Sequence, residues 1–286
     1  MGQVSVVTGG AGGMGLAAPK IIGRDRTVVI ADVRQDRLDA AAAQLAAMGI
    51  DYTKMRCDIT DRMAVAQLAA TAAGLGTVTS VIHTAGVSPS MASADIITKI
   101  NAIGTVNVNE VFYELAGPGF AIVNVASMAA HMMPPAMYPT RIFATALSDQ
   151  QAFLNKATRT YRLAPKRLRP GMAYSLSKTF VRWYCTSQAG RFGQRGARIL
   201  SVLGRPPSRP AGESRGDSAH VDQASVPLRW VTPGISQPGP ASATDCQPPP
   251  LVCARPHQVR RRFGRLAYSW PCREPSGRRR GGQRGR

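Results

Sequence analysis

Along residues 1–203, short β-branched runs alternate with Ala-rich stretches whose apolar positions recur at helical spacing. The runs at 4–7, 27–31, 52–57, 78–83, 120–125 and 198–202 predict six strands. Between them, 13–23, 36–48, 62–73, a stretch around 96–115 and 172–191 predict helices. This alternation builds a parallel sheet covered on both faces, so the expected fold class is α/β, a Rossmann-like doubly wound parallel sheet.

Two features interrupt the pattern. Pro19 falls inside the first helix, where it removes a donor and crowds the preceding turn, so that helix is expected to start late or kink. The segment 128–171 carries its own helical run, 142–160, then a basic stretch at 166–169, and a connection of that length is usually functional or disordered.

After residue 203 the periodicity stops. Residues 204–286 hold 15 of the 36 Lys+Arg, every one of them Arg, against 5 Asp+Glu, and 13 of the 21 prolines. Such a segment cannot bury enough apolar surface to offset the entropy of ordering, which predicts a disordered C-terminal tail and a sheet lacking its last strand. The chain therefore divides into an α/β domain at 1–203, which contains the insertion 128–171, and a Pro/Arg-rich tail at 204–286. An Arg-, Pro-, Gly- and Ala-rich, Lys-free composition is what a GC-rich coding strand yields out of frame, so a frameshift near codon 203 is the expectation.

The net charge of +20 suggests nucleic acid at first sight, but residues 1–203 and the tail each contribute +10, so the density lies in the tail. A solvated Arg-rich tail is the plainer reading, and a nucleic-acid partner is disfavoured. The N-terminal segment runs straight into a strand without a secretory pattern, and no apolar run has membrane-spanning length. Cys57, Cys185, Cys246, Cys253 and Cys272 form no CxxC pair and have no His at ligand spacing, so neither a metal nor a disulfide framework is expected. These features predict a soluble, cytoplasmic protein.

The candidate chemistry begins at TGGAGGMG, residues 8–15, between the first strand and the first helix. There a glycine turn lets a pyrophosphate approach backbone amides at a positive helix end. Two registers fit, Gly10, Gly12 and Gly15 as GxGxxG, or Gly9, Gly13 and Gly15 as TGxxxGxG. Asp32 ends the second strand, where an acid can bind the ribose hydroxyls and repel a 2′-phosphate, so NAD is favoured; Arg34 keeps NADP as the lesser option. Asp58 ends the third strand and either touches the adenine or caps the next helix. Tyr174 and Lys178 form the only YxxxK, with both side chains on one helix face. A neighbouring ammonium stabilises a phenolate, and hydride transfer needs such a proton partner. Ser127, ending the fifth strand, can hydrogen-bond a substrate oxygen. The histidines His83, His131, His220 and His257 show no spacing for a metal or triad and receive no role.

TGGAGGMG, Asp32, Asp58, NAIG at 101–104, NVAS ending at Ser127, and YSLSK with Tyr174 and Lys178 occur in the order seen in short-chain dehydrogenases/reductases, which residues 3–203 resemble. The resemblance implies an alcohol–ketone or alcohol–aldehyde oxidoreductase in which Tyr174 is the general acid/base and Lys178 binds the nicotinamide ribose and depresses the tyrosine pKa. Ser127 would orient the substrate carbonyl and Asn101 would hold a water in the proton relay. Cofactor contacts would fall on Thr8, Gly9, Gly13, Met14, Gly15, Asp32, Asp58, Ala85, Gly86 and Lys178.

The chain also departs from the family pattern. His83-Thr84-Ala85-Gly86 stands where the family has NNAG, so the asparagine that ties the central strands is replaced, in part by Thr84. Pro19 is unexpected, and Ser127 and Tyr174 are 47 positions apart, so the inserted segment is expected to form a lid or wall beside the substrate, with Met132, Met133, Met137 and Phe143 as apolar contacts. Leu203-Gly204-Arg205-Pro206-Pro207 replaces the nicotinamide-contacting turn. An inactive, pseudoenzyme reading and a nucleic-acid-binding reading through the tail are the rivals to the enzyme. A homodimer through the helices near Asn107 and Lys178 is compatible with the resemblance.

Overall fold

The computed structural model describes residues 2–203 of the chain. Strands β1 (Gln3–Thr8), β2 (Thr27–Asp32), β3 (Tyr52–Arg56), β4 (Thr77–His83), β5 (Ala121–Val125) and β6 (Arg198–Val202) pair in parallel in the order β3-β2-β1-β4-β5-β6. The order reverses between β1 and β4, and in open sheets of this kind ligands bind outside the carboxyl ends of the strands at that switch point. The register sets Thr8 beside His83 and His83 beside Asn124, so three polar residues stand in a row across the ends of β1, β4 and β5.

The strands are apolar on both faces because both are covered. On one face Val7, Val28 and Ile30 pack against Ala18 of helix α1 (Gly13–Ile22) and Leu38 and Leu45 of α2 (Gln35–Ala47). On the other, Val4, Val6, Val81 and Ile122 meet Leu68 of α3 (Arg62–Leu75), then α4 (Ala94–Thr98), α5 (Gly104–Tyr113) and α8 (Arg169–Gln194). Far from the strand ends, Arg191 pairs with both Glu110 oxygens at 2.8 and 2.9 Å and stacks on Tyr113, joining α5 to α8.

Three helix expectations are corrected. α1 does not start late: it begins at Gly13 and carries Pro19 buried inside, with Gly15 four residues before it. The stretch around 96–115 is α4 and α5 joined by a π-helical turn, Lys99–Ile103. The run at 142–160 is two helices, α6 (Thr140–Ser148) and α7 (Gln150–Arg162), because Asp149 turns extended and its carboxylate accepts from Ala152 N at 2.8 Å as the cap of α7.

α7 docks on the chain's own helices. Gln150 Nε2 donates to Asn107 Oδ1 at 2.9 Å, Phe153 lies 5.2 Å from Phe180, and the Tyr161 hydroxyl donates to Asp95 at 2.8 Å. These contacts seat the insertion on the helices that carry Asn107 and Phe180. No helix among the described residues is long and apolar enough to cross a membrane. The expectations for residues 204–286, namely the tail, the frameshift, the absent last strand and the nucleic-acid reading, lie outside the described residues.

Candidate active site

The glycine turn between β1 and α1 restricts which positions can carry a side chain. Gly9 and Gly13 have φ of 69° and 44°, a region L side chains rarely adopt. A Cβ at Gly15 would overlap the Gly9 carbonyl oxygen, and one at Gly9 would lie 2.7 Å from Ala85 N. Gly12, by contrast, has only the Arg37 guanidinium within reach, at 3.9 Å, so the backbone demands glycine at 9, 13 and 15 but not at 12. Gly10 is tight for another reason, its approach to Val7 O and Ile30. The N-terminus of α1 has no side-chain cap and no acid in its first turn, which leaves its amides and positive end for an anion. A cradle that any Cβ would fill, facing unspent amides, fits a dinucleotide pyrophosphate. Met14, half-buried, lies in the first turn of that helix.

At the nucleotide end Asp32 is half-buried and its Oδ1 accepts from Arg34 N at 3.2 Å. The Arg34 guanidinium is occupied by Asp36, with Nε at 3.1 Å from Oδ1. Asp58 is exposed and accepts from Thr60 N at 2.8 Å, while the helix cap is Asp61, which accepts from Met63 N at 2.8 Å. The capping alternative for Asp58 is therefore corrected.

The loop after β4 crosses the glycine turn. Thr84 Oγ1 donates to Thr8 O at 2.7 Å, the tie expected of it. His83, given no role from spacing alone, is buried beside it: Nδ1 lies 2.7 Å from Thr8 Oγ1 and Nε2 lies 3.2 Å from Thr105 Oγ1. Burial, aided by the Lys178 charge, pushes its pKa down to about 3, so the ring is neutral. Its place at the first position of the His83-Thr84-Ala85-Gly86 run that replaces NNAG was the signal that could have found it.

The helix pair carries the other half of the site. Asn101 sits in the π-helical turn, a device that often re-aims residues at functional sites. Its Oδ1 accepts from Val87 N at 2.9 Å, and its Nδ2 reaches Val87 O at 3.0 Å and Ser177 Oγ at 3.2 Å. A Cβ on Gly86 would lie 3.0 Å from Asn101 Oδ1 and 3.5 Å from Lys178 Nζ, so these three meet. Lys178 is buried and donates to Val125 O at 2.8 Å, and its ammonium is 5.9 Å from the Tyr174 ring centre. Burial lowers its pKa to about 8. Tyr174 is half-buried, and none of the hydrogen bonds among the described residues uses its hydroxyl. Ser127 is extended, and its Oγ accepts from Ala129 N at 3.2 Å, which leaves its proton to donate.

The insertion is anchored to α8 by Ser175 Oγ to Ala129 O at 2.9 Å and by Arg182 to Tyr138 Oη at 3.2 Å. Phe143, expected at the substrate, is instead fully buried, 5.4 Å from Phe180 and 5.5 Å from Trp183. Met132 and Met137 stay 80% and 68% exposed.

Sheet order, glycine cradle and the lysine beside Tyr174 define a dinucleotide-binding α/β domain. Residues 3–140 match the family model of short chain dehydrogenases. The short-chain dehydrogenase/reductase bsc3 of Alternaria brassicicola is 30% identical over 133 residues, 46% of this chain and 48% of that protein. A 1-deoxy-11-beta-hydroxypentalenate dehydrogenase of Streptomyces avermitilis is 42% identical over 87 residues, 30% of this chain and 32% of that one. The crystal structure of the LigO apo form from Sphingobium sp. strain SYK-6 superposes with a TM-score of 0.52 at 25% identity, covering 70% of this chain and 67% of that one. The chain thus spans about half, or a third, of the length of these curated relatives. By this match and this fold, residues 3–140 belong to the short-chain dehydrogenase/reductase family.

Proposed function

We propose that the chain is an NAD-dependent oxidoreductase that interconverts a small-molecule alcohol with its ketone or aldehyde. The observation that carries this reading is the meeting of Lys178 with Gly86, Asn101 and the face of Tyr174, on the side of the sheet ends where the glycine turn opens. When bound, the nicotinamide would take or supply the hydride. The chain's own residues do the rest. Tyr174 receives the alcohol proton on its phenolic oxygen, or returns it to the carbonyl oxygen in the reverse direction. Below a pH of about 8 Lys178 keeps its charge, which favours the phenolate and is placed to hold ribose hydroxyls. The free Ser127 proton orients the substrate oxygen, and Asn101 holds the loop at Val87 against α8 and supports a proton-relay water.

NAD is preferred over NADP on Asp32, whose carboxylate would repel a 2′-phosphate, and on Arg34, whose guanidinium Asp36 already engages. Thr8, Met14, Asp58, Ala85 and Gly86 complete the proposed cofactor contacts, and the insertion 128–171 forms a wall beside the substrate. Cys57 and Cys185 are buried free thiols, which suits a reducing compartment and supports a cytoplasmic location.

The test is an NADH fluorescence titration of the full chain with NADPH in parallel and Asp32→Ala as control, followed by turnover of an alcohol panel by wild type and Tyr174→Phe. Saturable NADH binding weakened by Asp32→Ala, with turnover lost in Tyr174→Phe, is the expected result. A folded protein that binds neither nucleotide would leave the inactive reading.

A further inference from the structure

The imidazole of His83 is held by two hydroxyls, and the third bond in the line decides where its proton sits. Thr105 Oγ1 lies 2.8 Å from the Asn101 carbonyl oxygen. A carbonyl only accepts, so this contact uses the one proton Thr105 has. The contact of 3.2 Å between Thr105 Oγ1 and His83 Nε2 must then be donated by the ring. A neutral ring carrying its proton on Nε2 has a lone pair on Nδ1, which accepts from Thr8 Oγ1 at 2.7 Å. Each donor in the line is thereby assigned in one direction, from Thr8 through His83 and Thr105 to the Asn101 carbonyl.

Both ends of this line hold parts of the site. Thr8 opens the glycine turn, and its carbonyl takes both the amide and the hydroxyl of Thr84. Asn101 continues through its own amide to Ser177 Oγ, which donates to the Tyr174 carbonyl at 2.8 Å. Resting on the functional reading above, we propose that His83 is a positioning residue. As a neutral Nε2–H imidazole it locks the glycine turn to the π-helical turn of Asn101, so that cofactor seating and the placing of the Tyr174 helix are set together. A fully buried ring with its pKa far below the ordinary histidine value is consistent with this.

Two measurements test the role. Long-range 15N–1H correlation spectra of the wild-type chain should show His83 as the neutral Nε2–H tautomer throughout pH 6–8, and an Nδ1–H tautomer or a charged ring overturns the proposal. Thr105→Val touches neither cofactor nor substrate, yet should weaken NADH binding roughly three- to tenfold, with Thr105→Ser restoring it. In the double variant with Thr8→Val, the loss should not exceed that of the worse single variant, because both cut the same line. Unchanged NADH affinity in Thr105→Val, or losses that simply multiply, overturns the role while leaving the functional reading intact. A folded wild type that binds no NADH overturns the functional reading and this role with it. The tautomer is read on the wild type, so a variant that fails to fold does not remove the test.

Discussion

Replacing Lys178 by Met should make the protein more stable and its nucleotide site worse. The lysine is buried, with Val125 O at 2.8 Å as its hydrogen-bond partner, and its pKa sits at about 8 because burial penalises the ammonium. The gap to the ordinary lysine value of about 10.4 corresponds to about 3 kcal/mol spent on carrying the charge at neutral pH. Met has a similar unbranched stem and no charge to desolvate, but it gives up a hydrogen bond worth about 1–2 kcal/mol. The net expectation is a gain of about 1–2 kcal/mol at pH 7, or about 2–4 °C in Tm per kcal/mol for a domain of this size. The sign with pH follows from the depressed value. Between about 8 and 10.4 the unfolded chain binds the proton that the folded chain has released, so wild-type stability from this group rises with pH across that window. The variant's advantage should therefore be full below pH 8 and fall by about 3 kcal/mol toward pH 10.4, where the lost hydrogen bond leaves wild type the more stable of the two. Urea unfolding of both proteins at pH 7 and pH 10, with an NADH titration at pH 7, measures this, and NADH affinity should fall about tenfold as the ammonium is lost. A variant destabilised by more than about 1 kcal/mol at pH 7, or a gap indifferent to pH, refutes the assignment of the low pKa to desolvation.

Gly15→Ala should abolish saturable NADH binding and cost at least about 2 kcal/mol, since its Cβ would overlap the Gly9 carbonyl; calorimetric titration and thermal unfolding read the two effects. His83 stays neutral in the fold down to about 3, whereas an unfolded histidine takes a proton near 6.5, so stability falls as pH drops below about 6.5, by about 1 kcal/mol per pH unit from this group. In His83→Asn that part of the slope between pH 6.5 and 5 should vanish from urea midpoints. Burial would raise Glu110, but the bonds from Arg191 and Tyr184 outweigh it and hold the carboxyl below its ordinary range. Glu110→Gln should cost about 1–2 kcal/mol in urea unfolding, a value discounted because the Arg191 side chain is partly exposed. Asp149→Ala removes the cap of α7 and should lower stability by about 1 kcal/mol with a small loss of helical circular dichroism.

Six strands in a parallel sheet were legible from the sequence because β-branched runs, glycine turns and helical periodicity are local signals, and each strand prediction came within two residues of its element. The order of TGGAGGMG, NAIG, NVAS and YxxxK likewise carries the resemblance to the family in sequence alone. Local reading erred where a side chain with two local uses had to choose. Asp149 looked like the interior of one helix and became the cap between two, and Asp58 left the capping of α3 to Asp61.

What only the tertiary structure decided depends on partners distant in sequence. Gly9 and Gly15 admit no Cβ because Thr84 and Ala85 descend on the turn from the end of β4, while Gly13 is required by its positive φ. Phe143 belongs to the core because Phe180 and Trp183 of α8 surround it. Histidine spacing could not show a role for His83, whose meaning comes from the sheet register that sets it beside Thr8 and from the helix that brings Thr105 to its other nitrogen. Lys178 was recognisable from its motif, but its lowered pKa comes from the surrounding fold, which removes water from its ammonium. Residue pattern is enough to specify which elements form; hydrogen-bond direction, burial and charge state are set by what those elements bring together.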